Sequence, residues 1–433
     1  MLASSDWNKI EKLRDDFQKL NIPVDQNVSR LDPRYYPFGG LTAQLLGDWR
    51  TGENFHASNT SFIERDSNNK LQGYSTYTEL APLIRYRHAP GNNDIERLRA
   101  RDRNVRTSLD VRLQIAARDI LRQHLDKAHL EHGAVVVMDP ATGGILAMVN
   151  AAAPEFGARH STDDLLDRAR YGTYPPGSTF KVVTAMAALR LDPQNAKQTY
   201  TCRRLPDGRV GALIPGWNRP VHDDDKDHAH GSLQMRQAIV VSCNGYFAQL
   251  GVYRVGTKAL ADMAQQLEIS IGPEKNLKKF LPFAAYGQGE VLVTPFKMAR
   301  IAATVANGGL MPEGRWVDDA SDSRTAAPRQ VIDSASAQFI ADAMRGVVLE
   351  GTGRAAMQGI DLPVAGKTGT AQLDAGEPHA WFIGYAPAGP APLDQHRIAF
   401  AVLVEHGGYG GSMAAPIAHD ILIEAEKLGI LKQ

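Results

Sequence analysis

Apolar positions along the chain change their spacing near residue 106. Before that point polar residues break up every apolar run. Ser67-Asn68-Asn69-Lys70, His88-Ala89-Pro90-Gly91-Asn92-Asn93 and the charge-dense Glu96 to Arg106 read as loops and linker. Arg34-Tyr35-Tyr36-Pro37-Phe38-Gly39-Gly40 is turn-rich and runs into a helix-like stretch, Leu41 to Leu46. This region, residues 1–105, reads as a small α+β module and linker. From Arg106 the segment VRTSLDVRLQIAARDILRQHL begins with capping candidates and continues with apolar residues at helical spacing. GAVVVMDPATGGILAMVN then gives two β-branched runs around Asp139-Pro140-Ala141-Thr142-Gly143-Gly144, a hairpin signal. LPVAGKTGTAQL, HAWFIGYAP and HRIAFAVLVEHGG are three late strand candidates, and a helix from Ala415 to Leu428 closes the chain.

Two early strands and three late ones flank a stretch, Ser178 to Arg354, that reads as mostly helical. They join in one sheet if the helical middle packs beside it. The expected fold class is therefore α/β, a mostly antiparallel five-stranded sheet flanked by helices over residues 106–433.

Composition narrows the function more than the fold. The chain has 433 residues, with 48 Lys plus Arg against 48 Asp plus Glu, so no basic excess points to nucleic acid. No apolar run reaches the roughly 18 residues needed to span a bilayer, and MLASSDWNKIEKLRDD lacks an apolar signal-peptide core. The two cysteines, Cys202 and Cys243, show no metal-type spacing and read as buried thiols, a single disulfide being the alternative. His222-Asp223-Asp224-Asp225-Lys226-Asp227-His228-Ala229-His230 reads as an acidic, solvated loop, so no metal site and no cofactor is expected.

The candidate chemistry centres on YPPGSTFKVVTAMAAL. Ser178 and Lys181, three residues apart, share a helix face. At a helix start the serine meets free backbone N–H groups and the positive end of the dipole. A lysine desolvated beside it would lose basicity and could take the hydroxyl proton, leaving an attacking alkoxide. Spacing alone does not single the pair out, because Ser67-x-x-Lys70 has it too. Two further elements do: Ser242-Cys243-Asn244 opening an apolar stretch, and Lys367-Thr368-Gly369-Thr370 on a strand candidate.

Ser178-x-x-Lys181, Ser242-x-Asn244 and Lys367-Thr368-Gly369, in that order, resemble the three motifs of the penicillin-recognising serine acyltransferases. From Arg106 onward the chain looks like the transpeptidase domain of penicillin-binding proteins. Thr107-Ser108-Leu109-Asp110, Tyr286-Gly287-Gln288-Gly289, Gly351-Thr352-Gly353 and His379-Ala380-Trp381-Phe382 resemble its flanking segments. Arg34-Tyr35-Tyr36-Pro37 with Leu46-Gly47 is similar to the pedestal of the monofunctional class B members. The resemblance implies that Ser178 is the acylated nucleophile, Lys181 its base, Ser242 a proton relay and Asn244 a holder of the peptide amide. It implies that Lys367, Thr368 and Thr370 hold the substrate carboxylate, that Gly369 keeps the strand open, and that the backbone N–H groups of Ser178 and Thr370 form the oxyanion hole.

The implied activity is a peptidoglycan D,D-transpeptidase (with D,D-carboxypeptidase action on the same site), acting on D-Ala-D-Ala stem peptides and blocked covalently by β-lactams. Implied partners are stem peptides and membrane-bound wall-synthesis proteins, at a periplasmic or extracytoplasmic location, with an N-terminal anchor outside this chain. A β-lactamase or β-lactam sensor is the first alternative. No Glu from Glu268 to Glu350 has Asn four residues on, and Asn244 stands where class D enzymes are apolar. A catalytically silent scaffold is the second, opposed by the intact motif residues.

Overall fold

Asp110 begins the first long helix, Val111–Ala128, by accepting hydrogen bonds from the amides of Arg112 and Leu113 at 2.9 and 3.4 Å. Leu113, Ala117, Leu121 and Leu125 recur on one face and are buried. The structure, a computed structural model, describes residues 38–46, 63–153, 166–224, 227–318, 327–389 and 396–431. The Arg34–Pro37 and Gly47 parts of the pedestal-like pattern lie outside the described residues, as do Asp225 and Lys226.

Behind this helix come β1, Gly133–Met138, and β2, Ile145–Ala151, paired antiparallel. Their link turns where Asp139 accepts from the Ala141 amide at 2.7 Å, an Asx-type turn. Four short strands follow: β3 (Tyr200–Arg204), β4 (Val210–Ala212), β5 (Val221–His222) and β6 (Gly231–Leu233), forming a sheet in the order β5-β4-β3-β6. The pair β7 (Leu310–Met311) and β8 (Arg329–Gln330) precedes β9 (Ala365–Ala371), β10 (His379–Ala386) and β11 (Ile398–Val404). The main sheet has the order β2-β1-β11-β10-β9, and every pairing in it is antiparallel. The expected five strands thus form one sheet, closed in the middle by the register Gly133↔Val404 to Met138↔Ala399.

One face of the sheet packs on the Val111–Ala128 helix and the closing helix, Ala414–Lys427. Val135, Val137, Phe382, Phe400 and Val402 meet Leu121, Ile417 and Ile421 there in one buried cluster. The other face receives the helical middle, including the Pro295–Ala306 and Ser334–Leu349 helices, most of whose apolar residues are buried. That middle is not purely helical: β3 to β6 lie in a stretch whose sequence reads as mostly helical. Their runs of two to five residues are too short for a period-two signal.

The chain divides into two compact units, Met1–Thr107 with Val317–Asp319, and Ser108–Trp316 with Ala320–Gln433. The described part of the first unit carries short helices, among them Asn68–Gln72 and Asn93–Arg99, where the sequence reads as loop and linker. The second is capped by Asn92, whose side chain accepts the Asp94 amide at 2.9 Å, and is anchored by Ile95 beside Tyr74, Leu80 and Leu83. Among the described residues of this unit, strand pairing is confined to the isolated bridge Thr107↔Val317.

Candidate active site

The segment Pro175-Pro176-Gly177 is fixed on three sides before it reaches Ser178. Trp381 Nε1 donates to the Pro175 carbonyl at 3.0 Å, Thr179 Oγ1 donates to the Pro176 carbonyl at 2.7 Å, and the Gly177 amide donates to the Gly287 carbonyl at 3.0 Å. Gly177 has φ 53°, and a Cβ there would stand 2.4 Å from the Thr370 carbonyl oxygen. Only glycine lets this turn lie so close to β9. Ser178 follows in the 3-10 turn Gly177–Phe180, which leads directly into the helix Lys181–Leu191.

Lys181 Nζ donates to Ser178 Oγ at 2.9 Å and to Ser242 Oγ at 3.1 Å, and also to the Ser242 carbonyl. Ser242 adopts φ 61°, a conformation that costs a non-glycine residue on the order of 1–3 kcal/mol. It joins the helix Met235–Val240 to the helix Asn244–Leu250. From β9, Lys367 Nζ donates to Ser242 Oγ at 2.8 Å and to the Thr368 carbonyl at 2.9 Å. The three motifs, from three distant parts of the chain, therefore meet at one hydroxyl.

Both lysines are fully buried. Burial lowers the Lys181 pKa from 10.5 to about 8, against the opposing pull of the Asp223 carboxylate. Burial, and then the adjacent Lys181 charge, holds Lys367 well below its ordinary value.

Above the lysines lies a cleft of about 660 Å³ whose wall includes Ser178, Ser242, Asn244, Thr368 and Thr370. Asn244 donates through Nδ2 to the His222 carbonyl at 2.9 Å. Thr368 Oγ1 lies 2.5 Å from Thr352 Oγ1. β9 is the last strand of the sheet, so one of its edges has no strand partner among the described residues. At Gly369 the space of a side chain is filled by Thr179 Cγ2, at 2.7 Å from an ideal Cβ, and by the Pro176 carbonyl at 3.0 Å. The glycine therefore admits the Ser178 turn against β9, rather than only leaving the strand open to a ligand.

Sequence reasoning assigned no role to Thr352, although Gly351-Thr352-Gly353 stood out as a flanking segment. It also missed Asp223, whose Oδ1 accepts the amides of Asn244 and Gly245, the latter at 3.1 Å, at the start of the second-motif helix. The acidic segment is not simply a solvated loop. Asp223 is 5% exposed and packs with His230, Cys202 and Cys243, the two cysteines remaining free thiols. The two cysteines are buried free thiols, as the sequence suggests, and they lie close together although they come from separate elements.

Residues 133–423 match the family model for the penicillin-binding protein transpeptidase domain. The peptidoglycan D,D-transpeptidase PbpA of Mycobacterium tuberculosis is 33% identical over 368 residues, covering 74% of this chain and 72% of that protein. The peptidoglycan D,D-transpeptidase MrdA of Acinetobacter baumannii is 28% identical over 468 residues, covering 88% of this chain and 64% of that protein. Among solved structures, the penicillin G acyl-enzyme complex of penicillin-binding protein A from M. tuberculosis superposes with a TM-score of 0.72 at 27% identity, covering 93% of this chain and 96% of that one. With three motifs converging on Ser242 and a matching domain across the sheet, this chain belongs to the penicillin-binding protein transpeptidase family.

Proposed function

We infer that this chain is a peptidoglycan D,D-transpeptidase working through a serine acyl-enzyme, and that β-lactams inhibit it by acylating the same serine. The observation that carries the reading is the contact of Lys181 Nζ with both Ser178 Oγ and Ser242 Oγ. Ser178 Oγ attacks the carbonyl carbon of the penultimate D-alanine while its proton passes to neutral Lys181. The tetrahedral oxyanion sits on the backbone N–H groups of Ser178 and Thr370, and losing one such donor would cost about 3–4 kcal/mol of barrier. Lys181 returns the proton through Ser242 to the leaving D-alanine amine, the C–N bond breaks, and an ester on Ser178 remains. An amine of a second stem peptide then attacks the ester carbon: the new peptide C–N bond forms, the ester C–O bond breaks, and the amine's proton passes through Ser242 and Lys181 to Ser178 Oγ.

Asn244 holds the peptide amide of the donor stem, and Lys367 with Thr368 and Thr370 holds its terminal carboxylate. The stem backbone lies along the free edge of β9, a strand-addition mode of binding. The substrate places the reaction outside the cytoplasm. An N-terminal membrane anchor and membrane-bound wall-synthesis partners complete the proposal, supported by the class B resemblance. No helix among the described residues is long and apolar enough to cross a membrane.

Labelling with a fluorescent penicillin, followed by peptide mass spectrometry, tests the assignment. The adduct should map to Ser178 and vanish in Ser178→Ala. A label on Ser67 or Ser242, or one that persists in the variant, overturns it.

A further inference from the structure

Outside the walls of the cleft, a largely buried carboxylate grips the residue from which the Pro175-Pro176-Gly177 turn starts. Glu405 follows directly on β11, and its Oε1 accepts hydrogen bonds from Tyr174 Oη at 2.7 Å and from Arg168 Nε at 2.8 Å. We propose that Glu405 and Tyr174 are positioning residues for the nucleophile: through their hydrogen bond, the end of the middle strand fixes where Ser178 stands. The inference rests on the reading of Ser178 as the acylated residue.

Tyr174 is held at both ends. Its amide donates to the Val293 carbonyl, and its carbonyl accepts the Val293 amide, both at 2.9 Å. Its ring meets two rings of β10 edge-on, His379 with centroids 5.5 Å apart and Trp381 with centroids 6.3 Å apart. Gly172 leaves the room that the hydroxyl needs, since a Cβ there would stand 2.6 Å from Tyr174 Oη. The bond to Glu405 then sets the far end of the ring.

Glu405 is fixed in its turn. Its amide donates to the His132 carbonyl at 3.0 Å, just ahead of β1, and its Oε2 faces His132 Nδ1 at 3.8 Å. The Arg168 side chain, 3% exposed, balances the carboxylate. Arg168 belongs to a segment tied to β2, where Asn150 Oδ1 accepts the Ala169 amide at 2.7 Å. Anchors on β2, β10 and β11 thus converge on Tyr174.

Between Tyr174 and Ser178 the chain has little freedom to absorb a shift. Pro175 and Pro176 have a fixed φ, and Gly177 is pressed against the Thr370 carbonyl of β9. A displacement of Tyr174 therefore reaches Ser178 Oγ and the Ser178 amide, while Asn244, Lys367 and Thr368 keep their places. Misplacing a reacting atom by about 1 Å costs on the order of 10²-fold in rate. The mark of such a displacement is a slower bond-forming step at unchanged affinity.

Acylation of the full chain over a series of benzylpenicillin concentrations separates the rate constant at saturation from the affinity of the reversible complex. Tyr174→Phe keeps the ring and removes the bond to Glu405. It should lower the saturated rate roughly tenfold and leave the affinity within about twofold. Gly172→Ala pushes on the same hydroxyl and should lower the same constant. Glu405→Gln keeps an acceptor oxygen for Tyr174 but leaves buried Arg168 without the Glu405 charge. It should therefore lower the Tm more than Tyr174→Phe does, yet slow acylation less, an order that loss of stability alone does not produce. The proposal is overturned if Tyr174→Phe acylates within about twofold of the wild type, if affinity and not the rate constant changes, or if the rates of the three variants follow their Tm. A wild type that takes up no penicillin on Ser178 overturns the transpeptidase reading as well.

Discussion

Lys181 and Lys367 donate to the same atom, Ser242 Oγ, at 3.1 and 2.8 Å, and both side chains are withdrawn from water. Two ammonium groups this close repel by about 3 kcal/mol at an effective dielectric near 20. At neutral pH the pair therefore favours holding one proton between them over two. The hydroxyl that both reach gives the proton a path from one end of the cleft to the other.

Lys181 acts as base only when neutral, and its pKa is held at about 8. Acylation by benzylpenicillin should therefore rise with pH through about 8 and level off above it. Lys181→Met should slow acylation by about 10²–10⁴-fold, and Lys181→Arg should not rescue it, because a guanidinium stays protonated. A flat pH profile, or an arginine variant within a few-fold of the wild type, would refute the base assignment. The same lowered value means that the unfolded chain binds more protons than the folded one between about 8 and 10.5. Burying this lysine therefore costs stability at neutral pH, and the cost fades as pH rises through that window.

Burial, and then the Lys181 charge, hold the Lys367 pKa well below its ordinary value. A substrate carboxylate brought against it raises that pKa again. Binding of a D-Ala-D-Ala stem peptide to Ser178→Ala should thus take up a proton at pH 7. Calorimetry in buffers of different ionisation enthalpy would show this as a buffer-dependent heat. Equal heats in all buffers would mean that Lys367 is already charged in the free protein.

Gly177→Ala places a methyl group 2.4 Å from the Thr370 carbonyl at a backbone φ of 53°. The variant should lose about 1–3 kcal/mol of stability, read by denaturant unfolding. Its acylation rate should fall by more than that loss explains, since the Ser178 turn and β9 must separate. Acylation equal to the wild type would show that the closeness of turn and strand does not matter to the chemistry.

Transpeptidase and β-lactamase part at deacylation. No Glu-x-x-x-Asn lies between the second and third motifs to position a hydrolytic water. The penicilloyl ester should persist for many minutes to hours, so nitrocefin should give a burst of one equivalent and little more. Sustained turnover above roughly one per second would favour the β-lactamase reading instead.

The sheet was legible in the sequence because β1 and β2 are β-branched runs around an Asp-Pro turn, and β9 to β11 are separated by glycine, proline and aspartate. The order of the three motifs foretold which side chains would gather, and Ser178, Lys181, Ser242 and Lys367 do gather. What stayed hidden depends on tertiary contact. Ile95 turns a polar, charged stretch into a helix by finding Tyr74, Leu80 and Leu83. Cys202, Asp223, His230 and Cys243 show no regular spacing in the sequence, because loops and short strands and not a single helix bring them together. Thr352 matters through one hydroxyl contact with Thr368, which no pattern encodes.

The pairing of β1 with β11, from Gly133↔Val404 to Met138↔Ala399, also sets a timetable. Ribosomes add about 5–20 residues per second, so β1 waits roughly 15–50 s for its central partner to be made. Until then the edge of β1 that β11 will cover has no partner. Ser178 and Ser242 have been synthesised by then, but the strand bearing Lys367 has no neighbour to lean on until β10 and β11 arrive. A half-made chain is thus unable to react with an antibiotic, and the drug's target comes into being only as its last strand docks.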